Sequence, residues 1–319
     1  MNQTVLNTRT AGVIDPILST HARGYRNLEF ISQLLFPRVP IPNRAMRVLK
    51  FGKESFRMVN TRRAPGADKK RIQYGYASDP VSLVQDALEA LVPVEHQEEA
   101  QSIPGIDLSA NAVSMVLDVL DLGLEFECAN MARTAASYDG NHKLALTGTD
   151  RWTASASTPF ADVRDANEAI RGSIGRYGNT LALSPSAFNG LCDHPDIRDA
   201  FKYTSKDSIT VEMLAAYFRI PKVIVGKAVY LPETAAESEM ATDVWGDDAI
   251  LAYVPMTGDN FMVPAYGYTY ELRGYPQVQT GYFENSNDSW IYPTKVERRP
   301  YIVGIEGGFL FQNAGAAAS

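Results

Sequence analysis

Thirteen residues of this 319-residue chain gather five cations about one turn: NTRRAPGADKKRI, positions 60 to 72, sets Arg62, Arg63, Lys69, Lys70 and Arg71 around Pro65 and Gly66. Clustered guanidinium and ammonium groups take phosphates or carboxylates as partners. Aromatic residues interleave with the cations of many single-strand nucleic-acid binders, and Phe56, Tyr74 and Tyr76 do lie close by. The remainder of the chain argues against that partner. Between Arg44 and Arg71 there are ten Lys or Arg and two acids, Glu54 and Asp68, a local charge of +8 in a chain of net charge -7. The rest of the molecule therefore carries -15, and a free-standing nucleic-acid binder would be repelled over most of its surface. An acidic protein surface is the better match, and the nearest one belongs to another copy of the same chain.

Other residue groupings fall short of the chemistry they resemble. Gly226 and Lys227 in VGKAV lack the upstream glycine and the following Ser or Thr of a phosphate loop. Ser173 in RGSIGRYG is not framed by its glycines as a G-x-S-x-G elbow requires, and it follows a helical pattern rather than a strand. Cys192 and His194 are two apart, a spacing that points side chains to different helix faces and gives no thiolate-imidazolium pair. The histidines at 21, 96, 142 and 194 include no i, i+4 pair for zinc. Asp243, Asp247 and Asp248 lack calcium-loop spacing and read as a solvated turn. Cys128 and Cys192 read as two buried free thiols, not a disulfide framework. No catalytic residue, cofactor site or metal site is expected.

The elements that must carry the basic cluster follow from pattern. Apolar residues at 45% and charged ones at 21% are ordinary for a globular protein. No apolar run nears membrane-spanning length, and MNQTVLNTRT has no signal-peptide character, so a soluble protein made inside the cell is expected. Residues 1–43 read as an extended arm with one short helix in LEFISQLLFP and a ladder-poor, proline-rich stretch, PRVPIPN. Residues 46–60 and KKRIQYGYA alternate on either side of the Pro-Gly tip and predict a long hairpin, with arms reaching about 40 Å. Such a hairpin is marginal alone and is expected to dock on a neighbour. An acidic stretch, DALEALVPVEHQEEAQSIPGID, leads to the longest helical pattern. Capped at Asp107 or Ser109, it runs through Val113, Val116, Leu117, Leu120, Leu124, Cys128, Met131 and Ala135 to about Ser137, with Gly123 marking a close approach or bend. Helices and strands then alternate to about Pro255, including one helix over SPSAFNGLCDHPDIRDAF, before strand-rich sequence over 261–311.

That order resembles the tailed-bacteriophage major capsid proteins, whose Hong Kong 97-type shell fold is shared by encapsulin compartments. The resemblance rests on YRNLEFISQLLFPRVPIP, KFGKESFRMVNTRRAPGADKKRIQYGYA, IPGIDLSANAVSMVLDVLDLGLEFECANMARTA, LALSPSAFNGLCDHPDI, VEMLAAYFRIPKVIVGKAVY and DVWGDDAILAYVP in sequence. It implies an α+β fold. Its parts would be an N-terminal arm (1–43), an extended hairpin loop (44–78), a peripheral domain with a long spine helix (79–150), an α/β axial domain (151–260) and late strands returning through both (261–319). It implies a structural subunit, not an enzyme, that assembles with itself into pentamers and hexamers around double-stranded DNA contacted non-specifically. A scaffolding protein, a portal and a decoration protein would be further partners. The virion capsid would be its location, after assembly in the host cytoplasm. An encapsulin-like compartment shell is the alternative. On this reading Arg57, Arg62, Arg63, Lys69, Lys70 and Arg71, with Phe56 and Ile72, meet a neighbour's Asp86, Glu89, Glu95, Glu98 and Glu99. Phe51 and Met58 add apolar contact. No motif aligns Lys69 or Lys70 with Asn285 or Asn287 as a crosslinking pair, so no covalent crosslink is expected.

Overall fold

The computed structural model describes residues 14–50, 58, 62, 77–101, 107–202, 209–236, 238–255 and 265–318. The described residues open with α1 (Pro16–Gly24), α2 (Ser32–Leu35), β1 (Arg38–Ile41), β2 (Ala45–Lys50), β3 (Ala77–Ser82), β4 (Val84–Pro93), α3 (Val94–Gln101) and α4 (Leu108–Arg133). They continue through β5 (Lys143–Ala145), α5 (Pro159–Ile174), β6 (Thr180–Leu183), α6 (Pro185–Asp193), α7 (Pro195–Phe201), α8 (Val211–Phe218), β7 (Lys222–Val225), β8 (Val229–Tyr230), β9 (Thr242–Asp243) and β10 (Ala249–Ala252). They close with β11 (Gly267–Leu272), β12 (Gln277–Val278), β13 (Tyr282–Glu284), β14 (Ser289–Ile302) and β15 (Gly308–Gln312).

Two sheets share one helix. The first is built on β14, which pairs antiparallel with β4 along one edge and with β13, β12 and β11 in turn along the other; β1 then lies parallel to β11. The second has the order β5-β15-β10-β6-β7. The N-terminal half of α4 buries Val113, Val116, Leu117 and Leu120 against Ala90, Val92, Tyr292 and Val296 of the first sheet and against Leu18 and Ala22 of α1. Its C-terminal half buries Leu124, Cys128 and Ala132 against Ala182, Ile224, Ile250 and Leu310 of the second. Each buried side chain of this size contributes about 1.5–3 kcal/mol, so α4 ties both layers into one unit. The opposite face of the second sheet is covered by α5, α6, α7 and α8 around Trp152, Leu181, Leu251 and Phe311.

Several sequence expectations need correction. The arm holds a second helix, α1, started by the Asp15 carboxylate, which accepts from the Ile17 and Leu18 amides at 2.9 and 3.0 Å, with Pro16 in the first turn. PRVPIPN is not ladder-poor backbone: β1 takes donors from the β11 side, Thr269 N to Pro37 O at 3.0 Å and Arg273 N to Ile41 O at 2.9 Å. An edge strand tolerates Pro40 because only one of its sides needs donors. The long helix stops at Arg133 rather than near Ser137, and nothing lies within 4 Å of where a Gly123 Cβ would be, so no backbone approaches there. His194 and Pro195 break the supposed single helix into α6 and α7. Cys192 is half-buried, while Cys128 is fully buried and burial pushes its thiol up. The aspartate trio is a solvated turn only in part: Asp247 lies exposed in a turn and accepts from Ser186 at 2.7 Å, while the half-buried Asp248 binds Arg133 at 2.7 Å.

Candidate assembly surface

The basic cluster hangs from a two-stranded ladder. β2 and β3 pair antiparallel from Ala45↔Ser82 to Lys50↔Ala77, so the chain leaves at Lys50 and returns at Ala77 side by side. Phe56, Arg57, Arg63, Lys69, Lys70, Arg71 and Ile72 lie outside the described residues; Met58 and Arg62 are described and exposed. Val48 and Val81 root the ladder against Val39, Ile41, Tyr268 and Tyr270, and Arg44 binds Glu297 at 2.7 and 2.8 Å.

The acidic set is brought together by β4 and α3. Asp86 and Glu89 stand on β4, and Glu95, Glu98 and Glu99 on α3 directly after it, all exposed. Ala90 and Val92 face α4, so the strand's alternation turns Asp86 and Leu88 the same way. There the sheet and helix part, leaving a groove of about 560 Å³ lined by Asp86, Leu88, Val119, Gly123 and Glu127 with Arg298. Groove-wall burial pushes the Glu127 carboxyl up; Arg299 pulls it back and the charge on Asp86 adds to the push. A second hollow of about 470 Å³, lined by Leu91, His96, Glu99, Leu108 and Met115, continues along α4 toward its start. Leu88, Leu91, Met115 and Val119 are all exposed apolar groups, 41, 49, 61 and 53% accessible. Acidic rim and apolar floor together suit an extended cationic segment that also carries apolar side chains.

Sequence reasoning missed the clasp that fixes the arm to α4. Asp118, Asp121 and Glu125 follow one another at three- and four-residue steps, and each holds a piece of the arm. Asn27 donates to Asp118 at 2.8 Å, Arg38 to Asp121 at 3.2 Å, and the Ile31 and Ser32 amides to Glu125 at 3.0 and 2.7 Å. Glu125 also accepts the Trp245 indole N–H at 2.7 Å, which ties in the second sheet's side. Asp121 is shared with the buried Arg298, whose other nitrogen donates to Leu120 O at 2.6 Å. Glu271 completes a quartet with the half-buried Arg38 and the buried Asp121 and Arg298, and burial pushes its carboxyl up against the pull of Arg38 and then Arg298. Spacing alone does not announce them: Asp118, Asp121 and Glu125 stand on the flank of the helix beside the Val113, Leu117, Leu120 and Leu124 stripe, where acids ordinarily face water, and their partners lie far away in sequence.

The groupings weighed for catalysis are structural. His194 caps α7 by accepting from Asp196 N and bonds Ser157 through its other nitrogen at 3.2 Å, while the Cys192 thiol points to Ile209 O. Ser173 is buried in the inner face of α5. No group of three or more His, Cys, Asp or Glu fit for a metal occurs among the described residues, and no helix there is long and apolar enough to cross a membrane.

Residues 137–272 match the family model described as phage major capsid protein E. The chain is 34% identical over 302 residues to the major capsid protein of Burkholderia phage BcepMu, covering 93% of this chain and 95% of that one. It is 43% identical to a phage-related protein from Bordetella bronchiseptica RB50 with a crystal structure, at a TM-score of 0.83 over 97% of this chain and 99% of that one. The capsid of cyanophage P-SCSP1u shares the fold at 10% identity, with a TM-score of 0.55 over 97% of this chain and 93% of that one.

Proposed function

The chain belongs to the bacteriophage major capsid proteins, and from that premise we propose that it assembles into pentamers and hexamers of an icosahedral head enclosing double-stranded DNA. The observation that carries the reading is the 34% identity to a phage major capsid protein over nearly the whole of both chains. Its surface chemistry supports the mode of assembly. A basic segment rooted at Lys50 and Ala77 is matched in charge by the exposed Asp86, Glu89, Glu95, Glu98 and Glu99. The hairpin of one subunit docks on this ridge of the next. Each exposed ion pair gives about 0–1 kcal/mol, so charge sets register and apolar contact supplies more of the affinity. Phe56, Ile72 and their neighbours meet the exposed Leu88, Leu91 and Val119 of the next subunit.

The parts correspond to an arm (1–43), an extended loop (44–78), a peripheral region on α4 (79–150), an axial region on the second sheet (151–260) and returning strands (261–319). The subunit works as a wall and not as a catalyst. A scaffolding protein guides assembly in the host cytoplasm; a portal and a decoration protein complete the head, and DNA is contacted non-specifically at the inner face. Electron microscopy of the purified protein tests the reading: closed icosahedral particles support it, and a monodisperse monomer under all assembly conditions overturns it. Particles filled with protein cargo rather than DNA in infected cells would move the assignment to an encapsulin-like compartment. Subunit-sized bands from boiled particles would agree with the absence of a crosslink.

A further inference from the structure

Among the described residues six buried side-chain polar atoms have no hydrogen-bond partner in the protein, and three of them fall at one place: Arg38 Nε, Thr269 Oγ1 and Glu271 Oε1. The other three belong to His142, Arg151 and Thr294, on separate stretches of chain. Arg38 and Thr269 are register partners in the parallel β1–β11 pair, and Glu271 stands two residues further along β11. Their side chains therefore leave the same face of the sheet, the one that α4 covers. Thr269 is 1% and Glu271 8% exposed, so neither group reaches solvent to make up the bond it lacks. In the Arg38–Asp121–Arg298–Glu271 quartet the direct bonds are made elsewhere. One terminal nitrogen of Arg38 donates to Asp121 at 3.2 and 3.3 Å, and Arg298 donates to Asp121 and to the Leu120 carbonyl. The other terminal nitrogen of Arg38 faces Glu271 at 3.8 Å, wider than the roughly 2.7–2.9 Å of a charge-assisted hydrogen bond. Guanidinium and carboxylate thus stand apart, each with an unused hydrogen-bonding position.

We propose that this seam is a binding site for one buried water molecule, which accepts from Arg38 Nε–H and donates to Glu271 Oε1 and Thr269 Oγ1. Three bonds are what an internal water ordinarily makes, and otherwise-unsatisfied buried groups are what it ordinarily joins. The donor set selects the ligand. A metal cation would face the Arg38 N–H, and an anion would face the Glu271 carboxylate; a small neutral molecule with both donors and acceptors meets both. Thr269 is then left free to turn its own proton toward the Cys128 sulfur on α4, where burial pushes the thiol up and the Thr269 hydrogen bond pulls it back. The bridge joins the arm strand β1 to β11 beside β14 and α4, four stretches far apart in sequence. It couples Arg38 to Glu271 without requiring the two to touch. The site belongs to the single subunit and is independent of whether shells form.

High-resolution diffraction from crystals of the full-length protein tests the assignment. The native protein should show one fully occupied water peak within about 2.6–3.2 Å of Arg38 Nε, Thr269 Oγ1 and Glu271 Oε1. Thr269→Ser, which keeps the hydroxyl, should retain the peak, and Thr269→Val, which keeps the shape without it, should lose it. A direct Arg38–Glu271 hydrogen bond with no density between the groups overturns the proposal. So does a peak with the short contacts of a coordinated metal ion, or one that Thr269→Val leaves unchanged. Should Thr269→Val fail to fold, the native and Thr269→Ser crystals still decide. Oxygen-17 relaxation dispersion in solution gives a second reading: the contribution of one long-lived internal water should disappear on Thr269→Val and persist in Thr269→Ser, and equal amplitudes in all three proteins would count against the site.

Discussion

At Glu125 three parts of the molecule meet on one carboxylate: the arm through the Ile31 and Ser32 amides, the helix that carries it, and the second sheet's side through Trp245. It is fully buried. Glu125→Ala leaves three buried donors unpaired and should cost about 3–5 kcal/mol, read as a lowered urea midpoint by Trp fluorescence; a loss under about 1 kcal/mol would contradict the clasp. Glu297 makes a different demand. The Arg44 hydrogen bond holds its carboxyl below the usual range, against burial, and Tyr275 helps. A carboxyl depressed on folding contributes stability that is complete above its unfolded pKa of about 4.3 and is lost as pH falls through the folded value. Glu297→Gln should therefore be less stable than the native protein at pH 7, and urea titrations should show the gap closing as pH falls below about 4. A gap that stays constant with pH would contradict this. Neither residue was legible beforehand, because a carboxylate's worth depends on which distant amide or guanidinium the fold brings to it. The basic cluster was legible as charge, and the ridge proposed to meet it as an acidic stretch, because both are properties of contiguous sequence.

The helix α4 shows how far pattern carries at the next scale up. Its apolar face followed from spacing, the buried positions agree from Val113 to Cys128, and of the two caps the sequence offers, Asp107 and Ser109, the helix uses Asp107. Gly123 reads in the sequence as a close approach or a bend, and of the two the approach is absent: open space lies where its Cβ would be. Gly123→Ala should then stabilise the subunit by about 0.5–1 kcal/mol and raise its Tm by about 1 °C, since only the backbone entropy of glycine is removed. A lowered Tm would mean that the groove floor is occupied even in the free subunit. The strand β4 stayed hidden because its exposed half mixes Val84, Asp86 and Leu88 on one face, blurring the period of two. The proline-rich β1 was hidden by the residue that makes it an edge, and α1 was missed although Asp15 and Pro16 announce a helix start.

For the whole molecule, the order of elements was readable while the depth of their interlocking was not, because that depends on strands far apart in sequence. Assembly is the property that belongs to this scale. Arg62→Glu with Arg63→Glu should leave a folded subunit that forms no shells, checked by sedimentation and electron microscopy; normal shells would defeat the docking account. Restored assembly on mixing with subunits carrying Glu95→Lys and Glu98→Lys would name the partner surface directly. The layout has a consequence for when a subunit becomes ready. The strand that organises the first sheet, β14, and the strand between β5 and β10 in the second, β15, both fall within residues 289–312. A ribosome must therefore have released the chain through Ile302 before the first layer can close and through Gln312 before the second can. Until then the nascent polypeptide carries its acidic ridge without the β14 frame that holds β4 in place. Such a subunit cannot enter a shell half-made, so synthesis itself times the onset of association.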